Sequence, residues 1–218
     1  MAGIVVVDYH KGNLMSVERG LKAAGADVRI SDDPCVIAAA DAAVLPGVGS
    51  FAAAASFMAA SGQSDAVLRV IEAERPFLGI CLGMQLLFER GEEGAPEGGT
   101  VAGLGVLKGS CVRLDAAGLK VPHVGWDDVS MTDHAGPLFD GVPDGAHFYF
   151  THSYVVRPEN ADAVSCSCSY GSEFPAAVAS GSVFGCQFHP EKSSHRGRQV
   201  LRNFVDIVEG SRRKGAAR

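Results

Sequence analysis

The chain has 218 residues, of which 47% are hydrophobic and 20% are charged, and its formal net charge is −6. This length and apolar content predict one globular domain with a sizeable core. Because the charges are scattered and acidic in sum, neither nucleic acid nor a membrane is expected as a partner, and no apolar run approaches the roughly 20 residues of a membrane helix.

The first ninety residues alternate strand-like and helix-like segments. The apolar run GIVVVD at 3–8 is typical of a strand buried on both faces. A helix is predicted to follow with Asn13 as its N-cap and to end at Gly25. Further strands are predicted at 27–30, 42–46 and 77–80, and further helices at 51–60, 64–74 and 82–90. Such repeated β–α units predict a parallel sheet flanked by helices.

The pattern changes after a glycine- and acid-rich loop at 91–100. From 101 to 188 the chain shows short alternating segments separated by turn residues, which indicate antiparallel strands. A final helix is predicted at 193–210. Since no linker divides the chain, we expect a single α/β domain at 1–212 and a basic, frayed tail at 213–218.

Cys81 stands between two glycines in GICLGMQLLFE, directly after a predicted strand and before a predicted helix. This pattern is typical of a nucleophile elbow, a sharp turn in which a Cβ at Gly79 or Gly83 would crowd the backbone. The helix N-terminus favours a thiolate, and the N–H of Leu82 is a candidate oxyanion donor. The alternative is that Cys81 is a small buried apolar residue, as most free cysteines are.

His189 is the candidate base for this nucleophile, because QFHPEKS follows a predicted strand. Residues i and i+2 of an extended segment face the same way, so Glu191 is expected to orient the imidazole. The alternative is a solvated surface turn. The glycine-rich LPGVGSF at 45–51 supplies a second candidate oxyanion donor, from Val48 or Gly49, although it also suits an ordinary βα turn.

The six cysteines are expected to stay reduced in the cytoplasm, because the sequence shows no secretory signal. The Cys166–Cys168 pair lacks a matching His or Cys pair nearby, so a zinc site is not expected there. We predict no metal and no cofactor.

Together, GICLGMQLL and FHPEKS resemble the class I glutamine amidotransferases over essentially the whole chain. The resemblance implies a flavodoxin-like α/β fold with a mostly parallel sheet and hydrolysis of L-glutamine to glutamate and ammonia through a thioester. It implies Cys81 as nucleophile, His189 as general base and acid, and Glu191 as its orienter. Residues implied to bind glutamine are Gly49, Gln85, Ser153 and Tyr154.

Further stretches, such as PGVGSF at 46–51, KVPHVGWDDV at 120–129 and FYFTHSY at 148–154, are similar to one branch of that family. In that branch a separate (β/α)₈-barrel cyclase subunit receives the ammonia in histidine biosynthesis, so the resemblance implies a heterodimer. Its partner interface would include Asn13, Trp126, Tyr149 and Lys192. Two positions depart from the branch, which commonly has Gly in place of His10 and Asn in place of Asp127.

Three alternatives stay open at this point. The chain is also consistent with the glutaminase of another synthase, such as that of pyridoxal phosphate or aminodeoxychorismate synthesis. A stand-alone Cys–His hydrolase on a similar scaffold is a second alternative, and a catalytically inactive regulatory subunit is a third. The intact Cys, His and Glu set argues against the third.

Overall fold

The computed structural model of the chain describes residues 3–216. The first part of the chain forms β1 (Gly3–Val7), α1 (Leu14–Ala23), β2 (Asp27–Ser31), α2 (Pro34–Ala38), β3 (Ala42–Gly47), α3 (Phe51–Ser61), α4 (Gln63–Glu72), β4 (Phe77–Cys81), α5 (Leu82–Gln85) and β5 (Phe88–Gly91). Then follow β6 (Val101–Ala102), β7 (Leu107–Arg113), β8 (His123–Met131), β9 (Ala146–His152), β10 (Tyr154–Pro158), β11 (Val164–Tyr170), β12 (Ser172–Ser180), β13 (Val183–Cys186) and α6 (Ser194–Ala216). Short 3₁₀ turns lie at Pro137–Phe139, Ala161–Ala163 and Pro190–Lys192.

The main sheet of the described residues has nine strands in the order β2-β1-β3-β4-β13-β12-β11-β8-β9. The first five strands in this order run parallel, and the last four continue the sheet in antiparallel pairs. A smaller sheet has the order β10-β7-β5-β6. The predicted α/β fold is confirmed. The main sheet is evenly mixed, because four of its described strand pairs are parallel and four are antiparallel.

Each face of the main sheet is covered by its own hydrophobic core. Ile4 and Val6 of β1 lie in the core beneath α1 and α6, whereas Val5 and Val7 lie in the core beneath α2, α3 and α4. This alternation follows from the period of two along a strand. Each large apolar side chain contributes about 1.5–3 kcal/mol to folding when it is buried, so the cores on both faces stabilise the sheet.

The predicted helix at 82–90 is wrong beyond Gln85. Helix α5 is a single turn, and residues 88–91 form β5, which pairs with β6 and with β7. The carbonyl of Leu86 accepts the N–H of Leu104, and that of Leu87 accepts the N–H of Val106. A second segment therefore takes the acceptors that a longer helix would use, and tertiary pairing overrides the helix propensity of these residues.

The two ends predicted for α1 are close to those observed. Asn13 is the N-cap residue, although its side chain makes no capping hydrogen bond, and Gly25 has a left-handed φ of +99° just past the end of the helix. The last helix, α6, runs past 212 to Ala216, and 217–218 of the predicted tail lie outside the described residues. The domain boundary at 212 stays a prediction.

Within 3–216, no helix combines the length and apolar character needed to cross a membrane. All six cysteines belong to this range, and none of them is in a disulfide.

Candidate active site

A pocket of about 400 Å³ opens where β3 and β4 end, which is the edge of the sheet where α/β proteins bind ligands. Its volume suits a small polar molecule. The pocket is lined by Val48, Gly49, Ser50, Cys81, Leu82, Gln85, Glu93, Pro122, Thr151, His152, Ser153 and Tyr154. It thus brings together the predicted nucleophile, the predicted oxyanion donors and the predicted glutamine-binding residues.

Cys81 occupies a strained turn between β4 and α5. Its backbone has φ +54° and ψ −107°, a conformation that L-residues rarely adopt and that is found at functional sites. A Cβ on Gly79 would lie 2.5 Å from the carbonyl oxygen of Gly83, and a Cβ on Gly83 would overlap the carbonyl of Leu45. The two glycines are therefore required by the turn, as expected from the sequence.

The helix that follows the Cys81 sulfur is shorter than predicted. Because α5 is one turn long, its dipole contributes less than that of a full helix. The Cys81 thiol instead receives a hydrogen bond from Gln187, with Nε2 at 3.5 Å from Sγ, and lies 3.9 Å from the carbonyl oxygen of Thr151. Gln187 is fully buried, so its amide is a fixed donor to this sulfur.

His189 and Glu191 are in direct contact, with Nδ1 and Oε1 separated by 2.9 Å. Both side chains are almost completely buried. The contact arises from the 3₁₀ turn at Pro190–Lys192, whereas the sequence argument assumed an extended segment. The main chain of His189 is also anchored to β9, because its N–H donates to the carbonyl of Tyr149 at 2.9 Å.

The pKa of His189 is set by opposing effects. Burial lowers the pKa, but hydrogen bonding and charge from Cys81 and Glu191 outweigh burial and raise it to about 9. The Nε2 atom of His189 is buried and forms no hydrogen bond of regular geometry. A protonated imidazole held at the sulfur favours the thiolate, which is the nucleophilic form of cysteine.

The 47–49 loop closes one side of the elbow. A Cβ on Gly47 would overlap the hydroxyl of Tyr9 and would lie 3.0 Å from the Cβ of Leu82. Gly49 has φ +101°, so this loop needs a glycine there. The loop is therefore packed beside Leu82, and the assignment of the N–H groups of Leu82, Val48 and Gly49 as oxyanion donors stays a prediction.

The four predicted glutamine-binding residues all line the pocket, Gly49 from the 47–49 loop and Gln85, Ser153 and Tyr154 from a second wall. Gln85 Nε2 donates to the carbonyl oxygen of Tyr154 and to Gln187 Oε1, both at 3.0 Å. Ser153 lies between Tyr154 and His152 on the same wall. Sequence reasoning missed Gln187, Thr151 and Pro122. Gln187 could have been predicted from the sequence, because it stands two residues before His189 and residues i and i+2 of a strand face the same way.

Three of the four predicted interface residues form one cluster. Trp126 on β8 and Tyr149 on β9 are paired across the strands, with ring centroids 6.2 Å apart, and Lys192 Nζ lies 5.6 Å from the Tyr149 ring. Trp126 is 52% exposed. Asn13 is exposed at the start of α1, which packs against the 3₁₀ turn that carries Lys192.

His10 also has a physical explanation. Its φ is +62°, in the left-handed region where glycine has no steric cost. The conformation accounts for the glycine that the resembling branch commonly has at this position. His10 is exposed and contacts the edge of Phe57, with ring centroids 5.2 Å apart.

Residues 5–208 match the family model described as glutamine amidotransferase class-I. The subunit HisH of imidazole glycerol phosphate synthase from Moorella thermoacetica is 47% identical over 208 residues, which cover 95% of this chain and 96% of that protein. The HisH subunit from Halobacterium salinarum is 49% identical over 210 residues, with 94% and 93% covered. The chain therefore belongs to the class I glutamine amidotransferase family, and within it to the HisH subunits.

Solved structures show the same fold at low sequence identity. A putative GMP synthase subunit from Thermoplasma acidophilum superposes with a TM-score of 0.73 and 23% identity, covering 99% of this chain and 98% of that one. The glutaminase domain of CTPS from Trypanosoma brucei, with bound acivicin, gives a TM-score of 0.68 at 14% identity, covering 96% and 94%. At such identities the likeness concerns the fold alone.

Proposed function

We propose that this chain is the glutaminase subunit of imidazole glycerol phosphate synthase and works in the cytoplasm. It hydrolyses L-glutamine and delivers the ammonia to a cyclase subunit of the HisF type, a (β/α)₈ barrel, for imidazole glycerol phosphate formation in histidine biosynthesis. The observation that carries the proposal is the strained elbow, which presents Cys81 in a pocket beside the His189–Glu191 pair. The identity to HisH subunits supports the pathway.

The residues at the site account for each step of the hydrolysis. His189 accepts the thiol proton, and the Cys81 thiolate attacks the carboxamide carbon of glutamine. The negative oxygen of the tetrahedral intermediate would be held by the N–H of Leu82 and that of Val48 or Gly49. Collapse of the intermediate breaks the C–N bond, and His189 returns the proton to the departing ammonia.

The second half-reaction regenerates the thiol. His189 accepts a proton from water and the hydroxide attacks the thioester carbon. The C–S bond then breaks to release glutamate, and His189 returns the proton to the Cys81 sulfur. Glu191 keeps the imidazole oriented through Nδ1 and stabilises its protonated form during both halves. Gln187 donates to the sulfur and stabilises its negative charge whenever the thiolate forms.

The partner surface we propose is the cluster of Trp126, Tyr149 and Lys192, extended by Asn13. Trp126 is a large apolar side chain that is half exposed, and such side chains are typical anchors of protein interfaces. Val124 on the same strand is 56% exposed and lies two residues before Trp126, so both side chains point to the same face.

The experiment is ammonia release from glutamine by the chain alone, then with a HisF-type cyclase and its nucleotide ligand. We expect a large rise only when the cyclase is present. Full activity of the chain alone would support glutaminase activity but indicate a different acceptor of the ammonia. A pyridoxal phosphate synthase subunit serves as the comparison partner. No turnover of glutamine by folded protein under any condition would overturn the proposal.

A further inference from the structure

A chain of polar contacts leads from the surface of β8 into the wall of the pocket. Asp127 Oδ2 lies 3.4 Å from His123 Nε2, and His123 Nδ1 lies 3.2 Å from His152 Nε2. His152 Nδ1 then lies 3.0 Å from the carbonyl oxygen of Tyr154, a residue that lines the same pocket as Cys81. The two imidazoles thus connect a partly exposed carboxylate with the wall of the candidate glutamine site.

The same carbonyl is connected to the nucleophile from its other side. Tyr154 O also accepts a hydrogen bond from Gln85, which donates in turn to Gln187 Oε1, and Gln187 Nε2 donates to Cys81 Sγ. Two side-chain amides therefore link this carbonyl to the sulfur by consecutive hydrogen bonds.

The two imidazoles are shut off from water. His123 is 2% and His152 is 6% exposed. His123 is stacked between Tyr170 and Phe150, with ring centroids at 4.1 and 5.0 Å, and His152 meets the Phe174 ring at 5.0 Å. Their ring nitrogens must therefore be satisfied by their neighbours in the chain, since buried polar groups are nearly always hydrogen-bonded.

The three contacts lack one proton when both imidazoles are neutral. Three contacts join Asp127, His123, His152 and Tyr154 O, and each contact needs one proton to become a hydrogen bond. Both ends, an ionised carboxylate and a carbonyl, only accept. Two neutral imidazoles bring two protons, so one contact always places two acceptors face to face.

We propose that Asp127, His123 and His152 are positioning residues of the glutaminase site, because their contacts hold the carbonyl of Tyr154 in place. All three contacts are hydrogen bonds only when the two imidazoles together carry three protons. The proposal rests on the glutaminase function proposed above. In the two-proton state the carboxylate competes with the carbonyl for a donor. The deficit then falls partly on the His152–Tyr154 contact and loosens the wall of the pocket.

The third proton belongs on His123. Burial, followed by the charge of His123, lowers the pKa of His152 to about 3, so His152 stays neutral. Burial also lowers the pKa of His123 from 6.5, while Asp127 opposes this effect. Since the pKa is lowered, His123 takes up its proton only as pH falls below 6.5. Titratable groups around the chain are Asp128 on β8, Cys168 and Tyr170 on β11, and His189 after β13.

A single substitution removes the proton deficit. In Asp127→Asn the side-chain amide donates to His123 Nε2, so two neutral imidazoles complete all three contacts at any pH. Asp128→Asn is the matched control, because it makes the same change of charge on the next residue, whose side chain is exposed and takes no part in the chain.

The first measurement is long-range ¹H–¹⁵N NMR of the imidazoles between pH 5 and 8, which needs no substrate. We expect the proton of His152 on Nδ1 at low pH and a titration of His123 with a midpoint below 6.5. Asp127→Asn should move this midpoint down by at least about half a pH unit, because the attracting charge is lost. Asp128→Asn should leave it in place. An unchanged midpoint in Asp127→Asn, or the His152 proton on Nε2 at low pH, would overturn the proposal.

The second measurement is the KM for glutamine of the chain with its cyclase. We expect KM to rise about threefold from pH 6 to pH 8 and to stay flat in Asp127→Asn. His152→Phe, which keeps an aromatic ring but loses the hydrogen bond to Tyr154, should raise KM about tenfold at both pH values. An equal pH profile in Asp127→Asn and Asp128→Asn would contradict the positioning role. Absence of any turnover would instead reject the glutaminase function. The NMR titration would still test the contacts between Asp127, His123 and His152.

Discussion

The parallel and antiparallel halves of the main sheet supply different parts of the site. The parallel half carries the predicted reactive groups, because Cys81 is the last residue of β4, His189 follows β13 and the 47–49 loop begins at the last residue of β3. All three strands end at the same edge, so side chains from distant parts of the sequence meet there.

The antiparallel half supplies the wall and the support. Strands β8 and β9 carry the Trp126–Tyr149 pair and the His123–His152 pair, and the end of β9 leads into the pocket residues 152–154. The predicted nucleophile and base thus lie at the ends of parallel strands, whereas Ser153 and Tyr154 of the predicted glutamine site and the Trp126–Tyr149 pair lie on or beside antiparallel strands. Substitutions in the two halves should therefore change different measured quantities.

The largest effect is expected for Cys81→Ala in the parallel half. Loss of the nucleophile should lower glutamine-dependent turnover by on the order of 10⁴-fold or more. Turnover with added ammonia should remain, because the cyclase does not use the thiol. Both activities are measured with the cyclase present, and equal loss of both would contradict the assigned role.

The next effect is expected for Glu191→Gln, which keeps the shape but removes the charge that orients His189. Glutamine turnover should fall by up to about 10⁴-fold, as for another triad whose orienting carboxylate is replaced by an amide. The pKa of His189 should fall from about 9, since Glu191 is one of the groups that raise it. NMR titration of the imidazole checks this shift.

The raised pKa of His189 also makes folding stability depend on pH. A raised pKa adds stability that is complete below the ordinary value of 6.5 and is lost as pH rises through about 9. Urea unfolding of the unmodified chain should therefore show a falling midpoint between pH 6.5 and 9.5. The fall should be smaller in Glu191→Gln, and an equal slope in both proteins would show that the pair does not couple to folding.

A smaller effect is expected for Gly83→Ala. The added Cβ would overlap the Leu45 carbonyl, so the elbow must shift, and we expect a loss of about 2–4 kcal/mol in unfolding free energy with a clear drop in turnover. Gly210→Ala is the control, because nothing lies within 4 Å of its Cβ position. Urea denaturation of the two variants should separate them, with Gly210→Ala at or above the stability of the unmodified chain.

The smallest effect is expected in the antiparallel half. Trp126→Ala should weaken binding of the cyclase by about 2 kcal/mol, or roughly thirtyfold, and should leave the unfolding free energy nearly unchanged. Val36→Ala, in helix α2, which packs on β1 near the opposite edge of the sheet from β8, is the control for loss of an apolar side chain. Calorimetric titration with the cyclase gives both affinities, and equal affinities would remove Trp126 from the interface.

Local patterns allowed much of the parallel half to be predicted. Gly79 and Gly83 each stand two residues from Cys81, Glu191 stands two residues after His189, and each apolar strand is one continuous run. Steric and hydrogen-bonding rules act over such short distances, so the elbow agrees with expectation. The His189–Glu191 contact was also predicted, although it arises from a 3₁₀ turn and not from the expected extended segment. The segment 86–90 was wrongly predicted as helix because the strands that pair with it, β6 and β7, lie up to 20 residues away.

The sequence by itself determined the α/β class, the strained turn at Cys81 and the pairing of His189 with Glu191, because each depends on residue types at fixed short spacings. Only the tertiary structure decided that Gln187 donates to the sulfur, that the 104–107 segment ends α5 after one turn, and that His123 and His152 join Asp127 to the pocket wall. These contacts join residues that are far apart in the chain. Their partners are chosen by strand register and burial, which no local pattern specifies.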